Sequence, residues 1–323
     1  MRLTVIIPTY NGLSLLQKHL PGLLRAEGIV EAELLIADDG STDGTGPWLA
    51  ANVPQARVVR RDTNGGFSRA CNAAIAEAHG DTLLLLNNDV SVAPDFLPPL
   101  ARALESEPSV FAVNSRILIP GWDGRDEGEK VGGFHHGIFY VDCPLVSSPR
   151  TVPTFYATAC AALYRRDRVD ALGGFDELFS PFYWEDVDLS YRALKRGWQV
   201  LYEPQSVVYH QHETTTSRLD PHYKAVVRER NQFFFVWKNI TDPRLTRQSR
   251  TLGPLVALYH ALRRGDRGLW AGYRAALCAW PEVRGRRAVE RREATVADRE
   301  ILARFGGGTP WEPAPTPPQQ EKS

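Results

Sequence analysis

Four stretches of this sequence combine residue types that can do chemistry. Asp38-Asp39-Gly40-Ser41-Thr42-Asp43 follows an apolar run at 33–37. A carboxylate there can accept hydrogen bonds from a base N–H or from ribose hydroxyls. Alone, the stretch is also an ordinary acidic turn in which Asp43 caps the next helix. Asn87-Asn88-Asp89 closes the apolar run 82–86. Asp89 can hold a divalent cation against a diphosphate, since magnesium and manganese take oxygen ligands and bridge substrate phosphates. The same tripeptide is also a common turn. Trp184-Glu185-Asp186-Val187-Asp188 crowds three acids beside Tyr183 and Trp184. Crowding and aromatic walls raise carboxylate pKa values, which suits a general base, and acids also favour the N-terminal end of a helix. His210-Gln211-His212 ends the run 207–209. Alternate residues of a strand share a face, so both imidazoles can turn to one metal site, or they form a packed or surface pair. A softer signal is Asn64-Gly65-Gly66-Phe67-Ser68, before an alanine-rich helix that contains Asn72. Glycines admit close backbone approach and a helix N-terminus favours phosphate, although most helix starts of this kind hold none.

The elements that must position these residues alternate. Runs 3–8, 33–37, 56–60 and 82–86 read as strands, and 13–26, 45–52 and 68–79 as helices. The alternation implies an α/β fold with a Rossmann-like, mainly parallel central sheet and helices on both faces. Ligands bind such sheets beyond the carboxyl ends of the strands. Pro8-Thr9-Tyr10-Asn11, Asp38-Asp39 and Asn87-Asn88-Asp89 all lie there and should converge on one crevice. Further along, 94–106 reads as a helix, 110–118 as a strand and 120–150 as a long irregular connection. A strand is expected at 155–164, a helix at 189–196 stopped by Gly197, two short strands at 199–203 and 207–210, and a helix at 222–237. Two or three basic helices should follow Pro243. The Gly-, Pro- and Gln-rich segment 306–323 is expected to be disordered.

Composition narrows the function classes. The chain has 323 residues, 38 basic and 38 acidic, for zero formal net charge. That balance argues against a nucleic-acid binder. The charge is uneven: 244–304 holds 14 Arg, no Lys and six acids, a balance of +8 that leaves −8 for the rest. Four cysteines show neither zinc nor disulfide spacing. With a strand in place of an export signal at the start, a cytoplasmic protein with reduced thiols is expected. No apolar run approaches the ~18 residues of a membrane span.

Taken in order, the clusters carry a resemblance. Val5-Ile6-Ile7-Pro8-Thr9-Tyr10-Asn11-Gly12, Ala37-Asp38-Asp39-Gly40-Ser41-Thr42-Asp43-Gly44-Thr45, 64–72, Leu86-Asn87-Asn88-Asp89-Val90, Gly173-Gly174-Phe175-Asp176-Glu177 and Trp184-Glu185-Asp186-Val187-Asp188-Leu189 closely resemble the family 2 glycosyltransferases of GT-A fold. The flavour is similar to the rhamnosyltransferase-like branch. The resemblance covers 1–240, which it implies to be the catalytic domain, with 241–305 a basic helical extension.

The resemblance also implies roles. Pro8, Thr9, Tyr10, Asp38, Asn64, Gly66, Phe67, Asn72, Asn87 and Asn88 would bind the nucleotide-diphosphate sugar donor, with Asp38 at a pyrimidine base. Asp89 and His210 would hold a divalent cation, Mg2+ or Mn2+. Asp186, with Glu185 beside it, would be the catalytic base, and Trp184 and Tyr183 would meet the acceptor. Asn87 departs from the family pattern, which usually has Asp there, so the site loses one negative charge. The implied reaction is inverting transfer of a sugar (rhamnose or another hexose) to a saccharide or lipid-linked saccharide acceptor in bacterial surface polysaccharide or glycoconjugate synthesis. The competing readings are a nucleotidyltransferase, which would need a basic loop where Thr9-Tyr10-Asn11-Gly12-Leu13 stands, and a catalytically silent sugar-binding protein. The basic helices would be a peripheral contact to the inner face of the membrane, a cap on the acidic domain, or a homodimer contact.

Overall fold

Helices cover both faces of the main sheet, so its central strands are buried without alternation. The computed structural model describes residues 2–121, 125–211, 219–263 and 267–306. The chain order is β1 (Leu3–Thr9), α1 (Leu13–Leu23), β2 (Glu33–Asp38), α2 (Thr45–Asn52), β3 (Ala56–Arg60), α3 (Phe67–Glu77), β4 (Thr82–Leu86), β5 (Val90–Val92), α4 (Leu97–Glu105), β6 (Val110–Leu118), β7 (Val131–His135), β8 (Ile138–Asp142), β9 (Val152–Pro153), β10 (Ala161–Arg165), α5 (Arg166–Ala171), α6 (Glu185–Lys195), β11 (Gln199–His210), α7 (Pro221–Asn239), α8 (Pro243–Arg263), α9 (Gly268–Cys278), α10 (Trp280–Glu293) and α11 (Asp298–Phe305).

The main sheet runs β3-β2-β1-β4-β10-β6-β11-β5, with β9 beside β11. β1 to β4 are parallel, β10 is antiparallel to both neighbours, and β11 is parallel to β6. Alternate residues divide two cores. Ile6, Leu35 and Leu85 pack with Cys71 and Ala74 of α3. Val5, Ile7, Ile36 and Leu84 pack with Leu16 and Leu20 of α1 and Leu100 of α4.

Several elements differ from the sequence-based expectation. The connection 120–150 is not wholly irregular, because β7 and β8 pair as an antiparallel hairpin. Its glycines conceal the strand pattern: a Cβ on Gly132 would lie 2.5 Å from the Phe155 ring. The strand expected at 155–164 is only β10. Before it, side chains replace the ladder, with Ala157 N–H donating to Ser190 Oγ and Thr158 N–H to Asn114 Oδ1. The helix expected at Leu189 starts at Glu185, since its three acids belong to the first turn, where the helix dipole favours them. The two short strands are one, β11, whose register shifts between Glu203 and Val207, where Pro204 has no N–H to give. β5 was not anticipated.

Four helices, α8 to α11, follow Pro243 among the described residues. The expected boundary at 240/241 falls between α7 and α8, and most of 306–323 lies outside the described residues. The last helices close over the sheet through buried contacts. Lys195 Nζ lies 3.2 Å from Asp298, whose carboxylate also accepts the Tyr191 hydroxyl at 2.9 Å. Arg286 pairs with Asp176, and Arg287 donates to the carbonyls of Trp237 and Ile240. Among the described residues no helix is long and apolar enough to cross a membrane.

Candidate active site

Parallel register brings the strand-end clusters together. Thr9 stands opposite Asp38, and Asn88 Nδ2 donates to Thr9 Oγ1 at 2.9 Å. Gly12 has to be glycine here, because a Cβ would lie 2.4 Å from both Asn88 Nδ2 and Thr9 Oγ1. Pro8 is buried within β1, while Tyr10 and Asn87 are half-buried at the edge. Asp38 is fully buried. Its Oδ1 accepts Ser41 N–H at 2.9 Å; its Oδ2 has no hydrogen-bond partner and lies 3.6 Å from Arg60. One oxygen builds the turn and the other faces the Arg60 guanidinium. Asp43 accepts the Thr45 and Leu13 amides, so it satisfies the starts of α2 and α1 together.

Asp89 is buried, and neither carboxylate oxygen has a hydrogen-bond partner. β5 pairs with the end of β11, with His210 opposite Val90, which puts His210 Nε2 3.4 Å from Asp89 Oδ1. Two ligands of one octahedral ion at about 2.1 Å stand roughly 3.0 Å apart, so this pair fits a shared divalent cation. Among the described residues no group of three or more His, Cys, Asp or Glu side chains is arranged to hold a metal ion. The remaining positions would fall to donor oxygens and water. Burial lowers the His210 pKa, but Cys160 and Asp89 outweigh it and lift it to about 11, so a cation bound here would have to displace the imidazolium proton. His212 lies outside the described residues.

The three acids of α6 separate by environment. Asp188 is fully buried, 2.6 Å from Lys238 and 2.7 Å from Arg192. Burial opposes its ionisation, but these two cations and Asn239 hold its carboxyl below the usual range. Lys238 also reaches Asp176 at 2.6 Å. Glu185 is buried with Oε2 unpartnered. Desolvation, then Asp186, pushes its pKa well above the ordinary value. Desolvation raises Asp186 too, but the Val187 amide, Lys130 and the Ala159 amide oppose it. Enclosure thus favours the neutral form more strongly at Glu185, while the two amides and Lys130 favour the ionised form at Asp186. Trp184 is buried against Phe235 and Phe139, with ring centroids at 5.2 and 6.4 Å, and walls this acid pair. Tyr183 is the exposed aromatic, with 38% accessibility.

The glycine turn is committed within the chain. Asp39 accepts the Gly65 and Gly66 amides at 3.0 and 2.7 Å, and Phe67 N–H donates to Pro181 O at 2.9 Å. Asn72 gives both ends of its amide to the Phe175 backbone. Phe67 stands edge-on to the Phe175 ring, and Asn64 remains exposed. Gly66 has φ +92, and a Cβ there would lie 2.6 Å from the Pro181 backbone. Gly66→Ala should cost about 1–3 kcal/mol of stability, read as a lower urea midpoint; an unchanged midpoint would show that the 180–184 loop can yield.

Three further residues escape sequence reasoning. The Cys160 carbonyl accepts Asn87 N–H at 2.9 Å, while the Cys160 side chain meets His210 and the adjacent Ala159 amide meets Asp186. Two consecutive residues thus join the Asp89–His210 pair to Asp186. Lys130 lies over the Tyr156 ring, 5.4 Å from its centroid, and its charge acts on Asp186. The only sequence signal was the run of small residues at 157–162.

Residues 4–173 match the family model described as Glycosyl transferase family 2. The chain belongs to this family. This glycosyltransferase is 29% identical over 260 residues to an N-acetylglucosaminyl-diphospho-decaprenol L-rhamnosyltransferase from Mycobacterium tuberculosis, covering 72% of this chain and 83% of that one. Among solved structures it is similar to GalNAc-T7 with UDP, GalNAc and Mn2+, at TM-score 0.68 and 15% identity, covering 95% of this chain and 56% of that one. It is also similar to a Pyrobaculum calidifontis mannosyltransferase in complex with GDP-Man and Mn2+, at TM-score 0.55 and 18% identity, covering 94% and 83%. The two solved structures share the GT-A fold of this glycosyltransferase.

Proposed function

We propose that the enzyme inverts an anomeric centre, moving rhamnose or another hexose from a nucleoside diphosphate to the hydroxyl of a saccharide acceptor. The Ala159-Cys160 junction carries this reading: the Ala159 amide bonds Asp186, the Cys160 carbonyl accepts Asn87 N–H, and the Cys160 side chain meets His210, which lies 3.4 Å from Asp89. Asp186 takes the acceptor proton as the oxygen attacks. Glu185, kept neutral, avoids a second negative charge beside it. Lys130 and the Val187 and Ala159 amides hold Asp186 ionised and oriented. Asp38 Oδ2 meets the base, and Thr9, Tyr10, Asn64, Asn87 and Asn88 face the donor. Gly66, Phe67 and Asn72 act indirectly, by fixing the 174–184 segment. Tyr183 offers a face to the acceptor sugar, and Trp184 keeps water from the acids.

Asp89 and His210 would hold Mg2+ or Mn2+, which supplies positive charge to the leaving diphosphate. The relative from M. tuberculosis is named for a lipid-diphosphate-linked acceptor. A lipid-linked acceptor here would suit surface polysaccharide synthesis and a peripheral contact of the basic helices with the membrane.

The test is donor binding by calorimetry. Asp89→Ala should weaken binding of the donor nucleotide by about tenfold or more in Mn2+ and abolish the difference made by a chelator. Equal affinity with and without metal in the wild type would overturn the assignment of Asp89 and His210.

A further inference from the structure

The arginines of the C-terminal segment differ in their surroundings. In α10, Arg286 and Arg287 turn inward, Arg286 to Asp176 and Arg287 to the end of α7, while Arg284, Arg291 and Arg292 are exposed on a helix that also carries Glu282, Glu290 and Glu293. The arginines of α8 remain outside. Arg244, Arg247, Arg250 and Arg263 are all exposed, and α8 contains no acid and no lysine.

The two faces of α8 are sharply unlike. Ser249, Gly253, Ala257 and His260 recur at helical spacing and are buried. Gly253 packs on the β7–β8 turn, where the Gly137 carbonyl lies 3.5 Å from a Cβ built on it. The opposite face carries Leu255, Leu258, Tyr259 and Leu262, with 61%, 38%, 54% and 74% accessibility. Residues three, four and seven apart share a helix face, so Arg244, Arg247 and Thr251 continue this stripe toward the N-terminus. An apolar stripe in line with exposed arginines and free of acids is the pattern of a helix lying in an anionic lipid interface.

We infer that α8 docks on an anionic bilayer surface, with Leu255, Leu258, Tyr259 and Leu262 entering the acyl boundary and Arg244, Arg247 and Arg263 meeting headgroup phosphates. This deepens the peripheral contact proposed above and rests on it, but assigns the contact to one helix, the one that sets an exposed apolar stripe in line with arginines and carries no acid. The β7–β8 hairpin links α8 to the acid site: its turn packs on α8, and its Phe139 packs on Trp184. A helix held in the interface would keep that site close to a lipid-borne acceptor.

Deleting the chain after Pro243 would not test this, because α10 and α11 seal Asp176, Lys195 and Tyr191. Surface variants of the full chain do. The wild type should sediment with phosphatidylglycerol-containing vesicles and not with pure phosphatidylcholine. A Leu255→Ser, Leu258→Ser, Leu262→Ser triple variant and an Arg244→Gln, Arg247→Gln double variant should each bind about tenfold or more weakly. Salt should weaken the wild type and the triple variant, and should affect the double variant less. Donor hydrolysis without vesicles should match the wild type in both variants, which separates failure of this contact from failure of the catalytic reading. Wild-type protein that stays in the supernatant, or a triple variant that binds like wild type, would overturn the inference. So would a stripe whose removal converts a dimer to a monomer without changing vesicle binding.

Discussion

Asp186→Asn is expected to lower transfer by on the order of a thousandfold while leaving donor affinity within about twofold. The amide keeps the shape of the side chain and its bond to the Val187 amide, but it cannot take a proton. Glu185→Gln should cost far less, because it replaces a neutral acid by a neutral amide. The pH profile supplies an independent readout. Burial raises Asp186 from its ordinary value of 3.8, and a base works only when ionised. kcat/KM should therefore fall as the pH drops through a value above 3.8, and this acid limb should be absent from the residual activity of Asp186→Asn. Near-normal turnover in that variant, or a larger loss in Glu185→Gln, would exchange the roles of the two acids.

Lys238→Met is expected to remove about 3–5 kcal/mol of stability, a fall in Tm on the order of 10 °C. Lys238 stands 2.6 Å from both Asp176 and Asp188 in a buried site, so the variant leaves two carboxylates facing each other with less compensation. Arg286 and Arg192 retain one acid each. Asp188 is held below 3.8 when folded. A depressed carboxylate stabilises above its unfolded pKa, and that contribution is lost as pH falls through the folded value. The Tm difference between wild type and variant should therefore be full at neutral pH and shrink at acid pH. The variant that remains folded should keep its kcat, since Lys238 serves Asp188 and not Asp186. A loss of kcat with an unchanged Tm would place Asp188 in the chemistry.

The two variants separate neighbours that the sequence places two positions apart. Three acids in Glu185-Asp186-Val187-Asp188 are equivalent when only types and spacing are known. Their roles come from partners far away in the chain: Lys238 for Asp188, the Ala159 amide and Lys130 for Asp186, and enclosure beside Trp184 for Glu185.

The strand-end clusters were legible because their causes are local. A buried parallel strand must be an apolar run, and the turn that ends it must be polar, so Thr9, Asp38 and Asn88 could be assigned to one sheet edge before their register was known. The β7–β8 hairpin was not legible, because glycines that admit the Phe155 and Tyr140 rings replaced the alternating pattern.

By itself, the sequence determined the α/β sheet, the crevice at its carboxyl edge and the family of the enzyme, since periodicity and motif order are properties of neighbouring residues. The family resemblance already implied that Asp89 and His210 share a cation; only the tertiary structure decided that they stand 3.4 Å apart, that Cys160 ties them to Asp186, and that α8 keeps its arginines outside while α10 turns Arg286 and Arg287 inward. Burial and charge pairing across a hundred residues set those outcomes, and neither is a property of sequence spacing.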